Sequence, residues 1–248
     1  MHEWYAAPME GLTGWRWRQV QHEMFGRAAL YVTPFVSPNG NFSFQRKELE
    51  ELDPERNRGI PVVPQILTNR AEYFVWAAKE CRSRGWAQVD LNLSCPSGTV
   101  TGKKKGAGLL RQPELLRQLL DGIFDALPDM KISVKTRIGW ERAEEWPALL
   151  ALLETYPICR LTVHPRVRTQ FYKGTADREV FRWTAEHTAL PLCYNGDVTT
   201  VRDLWEMGEA FPDDAVMVGR GLVADPSLLR QATGGPAASL EELREFHD

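Results

Sequence analysis

What is missing from this chain of 248 residues narrows its roles before any motif is read. No stretch approaches the run of about 18 apolar residues that crossing a membrane requires, and no apolar, signal-like segment follows Met1. Cys81, Cys95, Cys159 and Cys193 make no CxxC pair and no even framework, which is the usage of a reducing, cytoplasmic protein. There is no HExxH run and no cluster of Cys and His, so no metal site is expected. Excess charge is absent too. With 30 Lys and Arg against 33 Asp and Glu, the formal net charge is -3, and any contact with nucleic acid must come from a local patch.

What is present is a series of apolar runs bounded by turn residues. Eight of them read as strands: 4–9, 30–36, 62–67, 88–94, 131–138, 160–165, 190–196 and 215–221. Most are continuously apolar rather than alternating, as parallel strands buried on both faces must be. Helix-length segments lie between them. In 113–127, Leu116, Leu119, Leu120, Ile123, Phe124 and Leu127 recur at helical spacing behind Pro113, which suits a first helical position. The segments 69–84 and 199–208 read as further helices, the second opening on threonines able to cap it. Strands alternating with helices eight times predict a (β/α)8 TIM barrel, whose usual size is about 250 residues. The doubly wound alternative normally has about five or six strands.

A barrel of this kind carries its active site where the strands end. Pro8 and Met9, Gln65, Asn92 and Cys95, Lys135 and Arg137, and His164 and Arg166 all fall there. Cys95 is followed by Pro96, which cannot donate to a sheet ladder, so the thiol sits at the barrel mouth and not in a core. A lysine inside SVKTRI points into the barrel or its helix layer, and an unpaired ammonium there is costly. An anionic partner is expected, and a cofactor would supply one. Asn195-Gly196-Asp197 and Gly219-Arg220-Gly221 end the last two strands, where barrels often hold phosphate. Glycine permits close backbone approach, and the forked arginine suits the anion.

Six stretches carry a resemblance: APMEG, DLNLSCPSGTVTGKKKGAGLL, SVKTRIG, HPRVRTQFYKGTAD, NGD and VMVGRG. Over residues 4–232 the chain resembles the tRNA-dihydrouridine synthases, flavin enzymes that reduce uridine in RNA. It is half-similar to dihydroorotate and dihydropyrimidine dehydrogenases, whose barrels carry a like Asn-x-Ser-Cys-Pro run. The GKKKGAGLL continuation and the spacing of Tyr172, Gly174, Ala176 and Asp177 favour the RNA-modifying family.

The resemblance implies FMN across the barrel mouth, its phosphate at Asn195, Gly196, Asp197, Gly219 and Arg220, its ring lined by Pro8, Met9 and Gln65. Lys135 would face the flavin N1/O2 edge with His164 beside it, and Asn92 would contact a flipped-out uracil. Arg137, Arg166, Lys103 and Lys104 would lie on the RNA side. NADPH would reduce the flavin, whose N5 delivers hydride to uracil C6. Cys95 would then give C5 its proton, since a thiol of ordinary pKa near about 8.5 is mostly protonated at neutral pH.

The chain departs from the family in places. It has His164-Pro165-Arg166-Val167 where His-Gly-Arg-Thr is usual, Thr13-Gly14 for Thr-Asp, and Thr33-Pro34 for Thr-Glu. Residues 1–233 form the expected catalytic barrel, and 234–248 a linker and the start of a shortened helical domain that in the family grips tRNA. Two other readings stay open: a flavin reductase of a free pyrimidine or small enone, and a flavin-holding RNA-binding protein without turnover.

Overall fold

The computed structural model describes residues 2–247. Nine short parallel strands run in order along the chain: β1 (Trp4–Ala6), β2 (Leu30–Val32), β3 (Val62–Val63), β4 (Gln65–Ile66), β5 (Gln88–Leu93), β6 (Lys131–Arg137), β7 (Arg160–His164), β8 (Leu192–Tyr194) and β9 (Ala215–Val218). They pair side by side as β3-β2-β1-β9-β8-β7-β6-β5-β4. The two ends of that order are halves of one predicted strand, 62–67, parted at Pro64, which has no N–H for a ladder. Its carbonyl still accepts from the Asp90 N–H at 2.8 Å. Since β3 pairs β2 while β4 pairs β5, the sheet closes on this segment into eight staves, the predicted TIM barrel.

The helices form where apolar spacing and end signals agree. The predicted 113–127 helix is Pro113–Ala126, with Pro113 in its first turn and Leu116, Leu119, Leu120 and Ile123 buried against the barrel. The other two are Ala71–Ser83 and Val201–Ala210. Thr200 caps the latter, its hydroxyl accepting from the Asp203 N–H at 3.1 Å. Trp15–Met24 and Arg178–His187 are further helices. Asp177 caps the second through the N–H groups of Glu179 and Val180, both at 3.1 Å.

Most apolar burial lies between staves and helices, while Tyr5, Ala7, Val32, Cys193, Ala215 and Met217 fill part of the barrel interior. After Gly234 and Gly235 the chain turns back, and the Leu240–His247 helix docks on the barrel. Phe246 packs edge-on to Trp17 at 6.4 Å and beside Phe25 at 5.6 Å. Arg230 pairs with Glu242 at 2.7 Å. No helix among the described residues is long and apolar enough to cross a membrane.

Candidate active site

Strand register brings the polar interior together. Gln65 pairs with Asp90 across β4 and β5, Asn92 with Lys135 across β5 and β6, and Arg137 with His164 across β6 and β7. A continuous hydrogen-bonded chain results. The Ser133 hydroxyl donates to Asp90 Oδ1 at 2.7 Å, and Gln65 Nε2 donates to Asp90 Oδ2 at 2.8 Å. Asn92 Nδ2 donates to Gln65 Oε1 at 2.7 Å. Asn92 Oδ1 in turn accepts the N–H groups of Ser94, at 3.0 Å, and Cys95, at 2.9 Å. Asn92, expected to meet a substrate base, thus spends its carbonyl on the turn that carries Cys95.

The titratable groups are tuned mainly by burial. Cys95 is half-buried; burial pushes its thiol up, against the Ser97 backbone and the fields of Arg137 and Lys135, so it stays protonated at neutral pH. Lys135 is 7% exposed, and its hydrogen bond is to Ser94 Oγ at 3.4 Å. Burial and then Arg137 bring it down to about 8, with Asp90 opposing. Burial pushes Asp90 up to about 6 in spite of Gln65, Ser133 and Lys135. His164 is held well below its ordinary range by burial and by Lys135, Arg137 and Arg166, so its ring is neutral.

The two arginines expected on the RNA side are committed within the protein. Arg137 donates from Nε to the Ser94 carbonyl at 2.9 Å and from Nη1 to the Val167 carbonyl at 3.2 Å. Arg166, 1% exposed, donates from Nη2 to Asp197 Oδ2 and to the Gly174 carbonyl, both at 2.6 Å, and from Nε to the Lys173 carbonyl at 3.2 Å. Asp197 joins these loops, since it also accepts from the Ala176 N–H at 2.8 Å and from Arg220 Nη2 at 2.9 Å. Burial alone would raise its carboxyl, but Arg166, Ala176 and Arg220 outweigh that and hold it down.

The glycine-rich loop after Cys95 folds back over it. Gly106 has φ +54°, and a Cβ there would stand 3.0 Å from the Cys95 carbonyl oxygen and 3.1 Å from Cys95 Cβ. Lys103 and Lys104 project from this loop into solvent. Beside it lies a rim that the sequence reading did not single out. Arg111 and Arg168 lie over the Trp140 ring at 4.2 and 4.7 Å, and Arg168 also lies over Phe171 at 4.7 Å. Arg168 Nε donates to the Pro96 carbonyl at 3.1 Å, tying the rim to the residue after Cys95. No local sequence pattern could have revealed this cluster, because its members come from three separate loops.

Two joined hollows of about 580 and 720 Å³ occupy the barrel mouth and share Pro8, Met9, Ser94, Lys135 and Tyr172. The first is also lined by Arg137, His164, Asn195, Gly196, Asp197, Gly219 and Arg220. Gln65, Asn92 and Cys95 line the second. Of the residues expected here, Arg166 lines neither, and Lys103 and Lys104 stand outside on the loop. A buried ammonium without a carboxylate partner, aimed into a hollow walled by Ala7, Pro8, Met9 and Met217, fits the electron-rich edge of a flat flavin ring. At Gly196 a Cβ would stand 2.6 Å from Ala176 Cβ, so the backbone there must remain bare. Among the described residues, no group of three or more His, Cys, Asp or Glu is placed to hold a metal ion.

A closed parallel barrel with polar groups gathered at its mouth is the frame in which this fold carries an active site. Solved structures share that fold at low identity. An old yellow enzyme homologue from Zymomonas mobilis superposes with a TM-score of 0.65 at 12% identity, covering 97% of this chain and 91% of its own. Histamine dehydrogenase from Rhizobium sp. 4-9 gives 0.68 at 12% identity over 94% of this chain and 45% of its own.

The sequence profile of the family described as Dihydrouridine synthase (Dus) matches residues 5–245, and the chain belongs to that family of flavin oxidoreductases. A probable tRNA-dihydrouridine synthase of Rhizobium leguminosarum bv. phaseoli is 33% identical over 221 residues, 89% of this chain and 68% of its own length. One from Rickettsia conorii is 30% identical over 226 residues, 91% of this chain and 67% of its own. The tRNA-dihydrouridine synthase B of Proteus vulgaris is 29% identical over 98% of this chain and 79% of its own length.

Proposed function

We propose that this chain reduces uridine to 5,6-dihydrouridine in RNA, with tRNA as the substrate suggested by the names of its relatives. The observation that carries the reading is the half-buried Cys95, its backbone N–H held by Asn92, on the wall of the mouth that the buried Lys135 also lines. FMN bound in the mouth and reduced by NADPH would supply the hydride for C6 of the uracil.

The chain's own residues do the rest. Cys95 Sγ holds the proton that C5 takes up, and burial keeps that proton in place at neutral pH. Lys135, buried at the mouth, would offer its positive charge to the flavin edge that becomes negative on reduction. His164, neutral, accepts from Arg166 Nη1 at 3.4 Å through Nε2 and lines the mouth without adding charge. Asn195 and Gly196 with Gly219 and Arg220 would hold the FMN phosphate, while Pro8, Met9 and Gln65 would line its ring. Lys103 and Lys104 meet RNA phosphates, and the Arg111, Trp140 and Arg168 rim offers flat cationic and aromatic faces for bases beside the target.

That rim favours RNA over a free pyrimidine, which would fill the mouth without reaching it. Incubating the protein with NADPH and an unmodified tRNA transcript, then digesting to nucleosides, tests the reading. A uridine product heavier by two hydrogens is expected. Unchanged tRNA together with turnover of free uracil would overturn it.

A further inference from the structure

Asp90 lies 3% exposed inside the barrel, lines neither hollow, and reaches Cys95 only through Gln65 and Asn92. Its interest is the direction it imposes. An ionised carboxylate can only accept hydrogen bonds, whereas a Gln or Asn amide presents a donor at one end and an acceptor at the other. With Asp90 accepting from Gln65 Nε2 at 2.8 Å, Gln65 must turn its oxygen toward Asn92. Asn92 must then give its amide to Gln65 and its oxygen to the N–H groups of Ser94 and Cys95. Reversing Gln65 would set oxygen against oxygen at Asp90 and NH2 against NH2 at Asn92, and reversing Asn92 would set oxygen against oxygen at Gln65 and point its NH2 at two backbone donors. Ser133, on the other side, imposes nothing, because a hydroxyl serves as donor or acceptor.

We propose that Asp90 is the positioning residue of this site: as the acceptor-only end of the chain, it orients the Gln65 and Asn92 amides and thereby holds the Cys95 turn. The role of the thiol rests on the function proposed above; the orientation of the chain does not. The charged and titratable groups that face Asp90 are Lys135 from β6 and Cys159 from the turn before β7, and the residue from β4 that meets it, Gln65, is uncharged.

The test reads the turn without turnover, so failure of this inference and failure of uridine reduction are told apart. The protein as purified is alkylated with iodoacetamide at constant pH, and modification of the Cys95 peptide is followed by mass spectrometry. Asp90→Asn, which loses the acceptor-only end at nearly constant shape, is expected to speed Cys95 alkylation by at least about fivefold, as is Asn92→Ala. Combining the two should give no more than Asn92→Ala alone, because Asp90 acts through Asn92. Rates that multiply in the double variant, or an Asp90→Asn rate within about twofold of the parent, would overturn the proposal. Should Asp90→Asn fail to fold, Gln65→Met breaks the chain with the carboxylate left in place. The same acceleration is then expected, and an unchanged rate would refute the proposal equally.

Discussion

At the scale of single residues, two buried charges set the expected pH behaviour. The proposed reaction calls for Asp90 ionised and Lys135 protonated, so kcat/KM should rise as pH passes about 6 and fall as it passes about 8, measured on the flavin-loaded enzyme. Stability runs the other way at each group. Asp90 is raised from 3.8 to about 6, so between these values the folded state holds a proton that the unfolded chain has released, and stability is lost as pH rises through about 6. Lys135 is lowered from 10.5 to about 8, so stability rises with pH between those values. A shift of this size at Asp90 corresponds to about 3 kcal/mol. Asp90→Asn should therefore be more stable than the parent at pH 8, by up to about 3 kcal/mol in urea unfolding, with the gain gone near pH 4. A variant both more stable and less active is the mark of a group kept for function. The strand-end residues were legible in the sequence because polarity at the end of an apolar run is itself a signal. Asp90 was not, since DLNLS does not say which polar residue faces which, and the internal commitments of Arg137 and Arg166 depend on carbonyls from distant loops.

At the scale of elements, the predicted strands ran past the observed ones at their C-terminal ends: 4–9 against Trp4–Ala6, 190–196 against Leu192–Tyr194, 215–221 against Ala215–Val218. The surplus residues, Gly221 apart, are those that line the mouth, where side chains and bare backbone face the hollow instead of a neighbouring strand. Pro64 divides one stave into two without opening the barrel, which a reading by apolar runs passes over. The loop after β5 answers why so much glycine follows a cysteine. Its backbone must turn left-handed at Gly106 and pass within contact distance of Cys95. Gly106→Ala should lower stability by about 1–2 kcal/mol from the backbone conformation alone, and it should depress kcat further by pressing on Cys95. Urea unfolding and turnover measured on the same preparation check both.

At the scale of the whole molecule, closure into eight staves was readable because strands and helices alternate throughout. The docking of the Leu240–His247 helix was not, since it rests on Phe246 meeting Trp17 and Phe25 across more than 200 residues of chain. With a net charge of -3, the proposed RNA contact falls to local groups, the loop lysines and the Arg111 and Arg168 rim. Lys103→Ala and Lys104→Ala should each weaken tRNA binding at low salt and flatten the dependence of log Kd on log salt by about one unit, whatever the RNA sequence. The central claim is that this barrel reduces uridine in RNA with Cys95 as the proton donor. It is tested most directly by anaerobic single turnover, in which the protein is reduced with NADPH, mixed with unmodified tRNA, and its flavin absorbance followed as it reoxidises. Reoxidation by tRNA that Cys95→Ala slows by about a hundredfold or more is the expected result. A flavin that stays reduced in the presence of tRNA, or a Cys95→Ala variant that matches the parent, would contradict the account.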